Sequence, residues 1–260
     1  MYKFNLDQPD SYQILRDVVV SQGQPIAPRG EPTHELLNVS LCVPSGTALQ
    51  RARYNPAIGI VEGLGLFTEE PGVQEQLDAT LQRVAPQSYA AGYFHSGMNY
   101  GYRIGTRWTR MIYDLTVDPT SRNAMLYVGD REDEVGGRPC IAMLQAIIRN
   151  NALDLIVTMR SLDIILGLPN DIVISSFIHQ ALGAWLDTQP LGHIHFNVAS
   201  CHIYDKHLSL DPSSFHVPRT LFRLPNSEGM LQRWSAAAFR TLPEFTPKLS
   251  TLDNLALISY

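Results

Sequence analysis

The chain has 260 residues, 45% of them hydrophobic and 17% charged, which is enough to bury a large core and excludes a disordered segment. Its net charge of −5 argues against a general nucleic-acid surface, so any phosphate it binds must meet a few placed arginines. Cys42, Cys140 and Cys201 form a sparse, odd set with no CxxC spacing, which suits a reducing compartment rather than a disulfide framework. Met1–Asp10 is polar and lacks the apolar run of a secretory signal. The longest apolar stretch, Ile164 to Trp185, is broken by Pro169, Asn170, Asp171, His179 and Gln180, against a membrane span. The expectation is a cytoplasmic protein with no membrane contact and no nucleic-acid partner.

The sequence carries no repeat, low-complexity tract or long linker, so residues 1–260 read as a single domain. After the Pro/Gly punctuation of Pro25 to Pro32, His34 to Val43 reads as a strand. Asn55 as cap and Pro56 at the first position open a helix running to about Phe67, and Val73–Val84 and Thr106–Val117 have helical periodicity. Strands are predicted at Ala124–Val128, Cys140–Arg149 and Leu153–Arg160, the last two joined by the hairpin signal Asn150-Asn151. A buried helix is predicted over Asp171–Leu186, a strand over Gly192–Tyr204 and a further helix over Gly229–Arg240. Strands alternating irregularly with long helices give an α+β class, and the absence of a Gly-rich phosphate loop after any strand leaves nucleotide recognition to side chains.

The most informative stretch is Arg160-Ser161-Leu162-Asp163, followed by Gly167-Leu168-Pro169-Asn170-Asp171. It resembles the nucleotide- and folate-binding segment of the thymidylate synthase family, which runs Arg-Ser-x-Asp and then Gly-Leu-Pro-Phe-Asn, the final Asn pairing with the uracil edge. Here that position is Asp171. An amide offers a donor and an acceptor to uracil, whereas a carboxyl group can accept from the exocyclic amine of cytosine. Asp at this position is similar to the deoxycytidylate and cytidylate hydroxymethylase branch of the family. The resemblance implies the thymidylate synthase-like α+β fold, with a large mixed sheet packed by helices and forming a homodimer. It implies methylene-tetrahydrofolate as co-substrate and a pyrimidine nucleoside monophosphate as substrate.

Further matches follow in family order. Gly136-Gly137-Arg138-Pro139-Cys140 resembles the nucleophile segment, although the His usual after this Cys is Ile141 here. Without the resemblance, a lone Cys at a strand start reads as a buried small hydrophobe. The chemistry asks for a thiolate that adds to carbon 6 of the pyrimidine, and nearby guanidinium groups are expected to lower its pKa. Glu62, the only carboxylate in an otherwise apolar helix, resembles the family Glu that organises proton transfer; a surface Glu is the competing reading. Tyr100 resembles the active-site tyrosine, with a core tyrosine as the alternative. Arg29, Arg122 and Arg160 match phosphate arginines, whose forks suit a dianion. Arg122 begins a family Arg-Arg pair whose second member is Asn123 here, a pair that in the family reaches into the partner's site.

His193, His195, His202 and His207 invite a metal reading, since His-x-His on a strand puts two rings on one face. No Asp or Glu follows at the spacing such a site uses, and no metal is expected. Ser200-Cys201-His202-Ile203-Tyr204 instead resembles the family Asp-x-His-x-Tyr, in which His and Tyr bind the sugar 3′-hydroxyl, with Ser200 in the Asp position as in the cytidylate branch. Ser161 is implied as a further nucleotide contact, and Asp163 and Gly167 as folate contacts; an Asp capping the next turn would look identical to Asp163. The implied reaction is transfer of a one-carbon unit to carbon 5 of a cytidine monophosphate, giving the 5-hydroxymethyl nucleotide. Reductive methylation, a non-catalytic nucleotide-binding relative and a His-based metal protein stay open, as does ribose against deoxyribose.

Overall fold

The computed structural model describes residues 1–8, 10–45, 100–104, 107–129, 138–186 and 190–209, with short pieces at 50–51, 62–63, 65–66, 75, 77–79, 81–82 and 215–216. Before the first expected strand it contains β1 (Tyr2–Asn5), α1 (Ser11–Gln22) and β2 (Gln24–Ile26). The sequence-based reading left these unassigned because β1 is short and the α1 stripe is narrow, burying Tyr12, Leu15 and Val19 among polar neighbours. β3 (Thr33–Pro44) follows a tight turn at Pro28–Gly30, in which Arg29 (φ 55°) and Gly30 (φ 82°) are both left-handed.

The α2 helix (Tyr100–Ile104) and α3 (Trp108–Val117) precede β5 (Met125–Tyr127), β6 (Ile141–Arg149) and β7 (Ala152–Asp163). Asn150 and Asn151 turn β6 into β7 with φ values of 51° and 60°, the left-handed pair that a type I′ hairpin needs. The α4 helix (Gly167–Trp185) crosses from β7 to the parallel β8 (Leu191–Tyr204). It is buried on nearly every side, which accounts for its continuous apolar sequence. It begins four residues before the expected Asp171, because Pro169 in the first turn removes an N–H that has no partner there anyway.

Together these strands form a seven-stranded mixed sheet in the order β1-β3-β8-β7-β6-β5, with β2 paired to β3. β4 (Gln50–Arg51) pairs separately with β9 (Phe215–His216). This is the expected α+β arrangement. Of the expected helix over 55–67, Glu62, Gly63 and Gly65 are described and helical, and of Val73–Val84, residues 75, 77–79, 81 and 82 are likewise helical. The expected Gly229–Arg240 helix lies outside the described residues. Among those described, no helix is long and apolar enough to cross a membrane.

At one level the side chains of four neighbouring strands change phase together. Buried positions on β8 run Ile194, Phe196, Val198 and then Cys201, Ile203; on β7 they run Leu155, Val157, Met159 and then Leu162. Leu36 to Val39 on β3 and Ile141 to Leu144 on β6 make the same three-residue step. The ladders place these steps side by side, since Val198 pairs with both Val39 and Met159, and Met159 with Ile141. Asn38, at φ 60°, is the extra residue on β3, and Arg160 occupies the step on β7. Beyond the step Ser161, Asp163, Ser200, His202 and Glu35 stand on the face opposite the helix-packed core, all of them half-exposed.

Candidate active site

Cys140 is the last residue before β6, and its half-buried Sγ lies 3.7 Å from the Ser161 hydroxyl on β7. The Arg160 N–H donates to the Cys140 carbonyl at 2.9 Å. The Arg160 guanidinium donates to the carbonyls of Arg138 (2.7 Å) and Pro139 (3.0 Å) and to Ser161 Oγ (3.0 Å). Arg160 therefore fastens the segment that presents the thiol, and its two remaining N–H groups stay available to an anion.

Burial, followed by the charge of Asp171, pushes the Cys140 thiol above its ordinary value. The Ser161 hydrogen bond and the guanidiniums of Arg160 and Arg29 oppose this without overcoming it. The expectation of a lowered thiol pKa is thus corrected, because desolvation of a half-buried sulfur outweighs two guanidiniums.

Asp171, on the first turns of α4, is only 7% exposed. Burial, then Glu62, then Asp163 hold its carboxyl well above the usual carboxylate range, a state that lets it donate as well as accept. Gly167 stands one turn before it, and a Cβ there would lie 3.4 Å from Asp171 Oδ2 and 3.8 Å from Asp163 Cβ. The absent side chain leaves room between the two acids. Glu62 reaches this cluster from its own helix, which packs on α4 so closely that a Cβ at neighbouring Gly63 would meet the Phe177 ring at 2.7 Å. The Tyr100 hydroxyl accepts from the N–H of Ile141 at 3.3 Å, next in sequence to Cys140. Burial, then Asp171 and Cys140, push the phenol well above its ordinary value.

Asp163 Oδ1 accepts from the N–H groups of Ile165 (2.8 Å) and Leu166 (3.3 Å), so it caps the turn into α4. His202 pairs in register with Asp163, its Nδ1 is buried without a hydrogen-bond partner, and its ring meets Tyr204 edge-on at 5.2 Å. His193 and His195 lie before the bulge, 6.2 Å apart, with His195 Nε2 3.7 Å from Asp154 Oδ2. Among the described residues no group of three metal-ligating side chains is assembled.

The structure thus gathers Cys140, Glu62, Tyr100, Arg29, Arg160, Ser161, Asp163, Gly167 and Asp171 around one end of β7, with His202 and Tyr204 on the next strand. Arg122 does not join them. It is exposed before β5, where its carbonyl accepts from Gln145 Nε2 at 2.8 Å. Two residues escaped the sequence-based reading. Asn170, whose Oδ1 is buried without a partner, replaces the Phe of the Gly-Leu-Pro-Phe-Asn motif, and that departure was the available signal. Glu35, which accepts a hydrogen bond from Ser200 Oγ, had none, because only strand register brings it there.

Comparison with known proteins identifies the fold and the family. The thymidylate synthase family model matches residues 94–236. A protein of Bacillus licheniformis named thymidylate synthase is 27% identical over 181 residues, 63% of this chain and 58% of that protein. One of Bacillus mojavensis with the same name is 28% identical over 152 residues, 58% of this chain and 50% of that protein. The chain therefore spans between half and three fifths of the length of these relatives. The solved structure of thermostable thymidylate synthase A from Bacillus subtilis shares the fold, with a TM-score of 0.63 at 16% identity, covering 84% of this chain and 86% of that one. With the family match extending from before α2 past β8, over Cys140, β6 and the Arg160–Asp171 segment, the chain belongs to the thymidylate synthase family.

Proposed function

We propose that the protein transfers a one-carbon unit from methylene-tetrahydrofolate to carbon 5 of a cytidine monophosphate and releases the 5-hydroxymethyl nucleotide. One observation carries the reading: a buried carboxyl at Asp171, its pKa raised by burial, Glu62 and Asp163, beside the half-buried thiol of Cys140. A carboxyl that holds its proton donates it to ring nitrogen 3 of cytosine and accepts from the exocyclic amine; once that proton is shared with the ring, the carboxylate faces two donors, whereas the carbonyl oxygen at carbon 4 of uracil would face it as a second acceptor.

The co-substrate supplies the carbon, and the chain supplies the rest. Cys140, as the thiolate, adds to carbon 6 and makes carbon 5 nucleophilic. With Asp171 neutral, the charge that most disfavours this thiolate after burial is gone, leaving Ser161, Arg160 and Arg29 to support it. Tyr100 and Glu62 line the site where the carbon 5 proton leaves, and both are linked electrostatically to Asp171. After carbon 5 has bonded the one-carbon unit, loss of the carbon 5 proton and departure of tetrahydrofolate leave an exocyclic methylene; water adds to it, and Cys140 departs from carbon 6 as the ring double bond returns. Arg29 and Arg160 receive the phosphate, and His202 and Tyr204 the sugar hydroxyl. Asp163, the side-chain-free Gly167 and the 51% exposed Leu166 would hold the pterin of the co-substrate.

We infer a homodimer built through the half-exposed sheet face, which carries the 60% exposed Leu37, with Arg122 reaching the partner's phosphate site. The deciding experiment incubates the protein with methylene-tetrahydrofolate and each of CMP, dCMP and dUMP and weighs the products. The expected product is a hydroxymethyl cytidine nucleotide. A methylated product with release of dihydrofolate would overturn the water-capture step, and a product from dUMP alone would overturn the base assignment.

A further inference from the structure

We propose that Glu35, on β3, is a positioning residue for sugar recognition, supplying from a neighbouring strand the carboxylate that the family motif carries at the position of Ser200. The inference rests on the reading of His202 and Tyr204 as the pair that receives the sugar hydroxyl.

The observations are geometric. Ser200 Oγ donates a hydrogen bond to Glu35 Oε1, although the two residues are 165 positions apart in the chain. In the antiparallel ladder Glu35 stands directly opposite His202, while Ser200 stands opposite Leu37. The Ser200–Glu35 bond is therefore a diagonal tie reaching back to the pair that holds His202. Directly opposed side chains on one face have Cβ atoms about 5 Å apart, so the Glu35 side chain starts across the ladder from His202, whose Nδ1 is buried without a hydrogen-bond partner.

The location gives the tie its importance. It sits immediately beyond the bulge level, where β3 and β8 have each just gained a residue and their side chains have changed phase. A bulge concentrates twist, so strand orientation past it is set by whatever contacts follow. The next outward residues of β8 are His202 and Tyr204, and the next of β3 is the exposed turn bearing Arg29. Across β7, Ser200 is in register with Ser161, which contacts the Cys140 thiol. Polar side chains thus run from Cys140, just before β6, through Ser161 and Ser200 and step diagonally to Glu35 on β3. An Asp at position 200 could hold its neighbours directly; a Ser, with a shorter neutral side chain, holds them through Glu35.

The test compares binding of cytidine monophosphate with that of its 3′-deoxy analogue, measured calorimetrically on the full chain. Wild type is expected to prefer the 3′-hydroxyl nucleotide by roughly 10-fold, the worth of a hydrogen bond pair to a buried site. Glu35→Ala and Ser200→Ala should each shrink this preference to about twofold while binding the 3′-deoxy analogue with unchanged affinity. The exchange variant, Glu35→Ser with Ser200→Asp, should restore it to within about threefold of wild type. Equal loss of affinity for both nucleotides in the single variants, or an unchanged preference, would overturn the proposal while leaving sugar recognition intact. A wild-type protein that binds both nucleotides equally would instead overturn the reading of His202 and Tyr204, and Glu35 with it. Ser200→Ala removes a single oxygen and keeps the test decisive if Glu35→Ala does not fold.

Discussion

The thiol of Cys140 and the hydroxyl of Ser161 stand 3.7 Å apart on adjacent strands, and this contact opposes the burial that raises the thiol pKa. Ser161→Ala should therefore move the thiolate further from neutrality. Alkylation by iodoacetamide, read by mass at the Cys140 peptide, should slow by roughly 2–10-fold at neutral pH, and its pH profile should shift upward. The buried Cys201, pushed up to about 12, should stay unmodified throughout. An unchanged Cys140 profile would mean that the hydroxyl does not stabilise the thiolate.

Asp171→Asn replaces a buried carboxyl with an amide of the same shape. Cytidylate use should fall and uridylate use rise, since the amide presents a donor and an acceptor to the uracil edge. Mismatched buried polar groups cost about 1–3 kcal/mol each, so the ratio of second-order rate constants for carbon 5 exchange on dCMP and dUMP should move by at least about tenfold. A constant ratio, on this pair or on CMP and UMP, would remove Asp171 from base recognition. The variant should also be more stable at neutral pH. A carboxyl whose folded pKa is raised loses its contribution as pH climbs from the unfolded value toward the folded one, and an amide has nothing to ionise.

Arg122 lies apart from Cys140 within one chain, so its proposed phosphate contact must be made in a partner. Mixing inactive Arg122→Ala with inactive Cys140→Ala should restore activity in heterodimers, which carry one site free of both changes. Recovery should approach a quarter of wild type, since about half the dimers are mixed and each has one sound site of two. Verified subunit exchange without recovery would place Arg122 outside the site.

His179 is buried in α4, where its Nε2–H donates to the Leu153 carbonyl at 2.7 Å and desolvation lowers its pKa to about 4. Unfolded, the ring titrates near 6.5. Between these values the unfolded chain binds the extra proton, so stability falls as pH drops below about 6.5 and levels off near 4. The loss from this group alone is about 3 kcal/mol. His179→Gln keeps a donor for Leu153 and cannot titrate. Urea denaturation at pH 7 and pH 4.5 should give a smaller difference for the variant than for wild type.

The sheet was legible wherever the sequence supplied a strong period or a turn with its own chemistry. β3, β6 and β8 lie within one residue of their expected ends, β7 runs three residues past its expected end at Arg160, and Asn150-Asn151 marked its hairpin because both residues tolerate a positive φ. β1, α1 and β2 were not legible, since four or fewer strand residues and a three-residue stripe do not rise above the background of any chain. At the site, local segments announced themselves: Arg160 through Asp171 is continuous in sequence and remains continuous in space. Glu35 could not be found that way, because its partner is 165 residues distant and the pairing depends on a bulge that no single strand encodes. The direction of the Cys140 shift was misread for a related reason. Guanidiniums can be seen in a sequence, whereas the depth of a sulfur atom cannot.

The aligned step across β3, β8, β7 and β6 also restricts how such a protein can drift. Each strand holds one residue more at that level than a flat ladder needs, and neighbours keep their pairing because all four lengthen together. Deleting Asn38 alone would turn one half of β3 inside out, exchanging the buried Leu36 for the outward Glu35 while β8 stayed as it was. Lone insertions and deletions are therefore barred from the middle of this sheet. Heritable change there is confined to exchanging one residue for another, and length variation is left to the connections between strands.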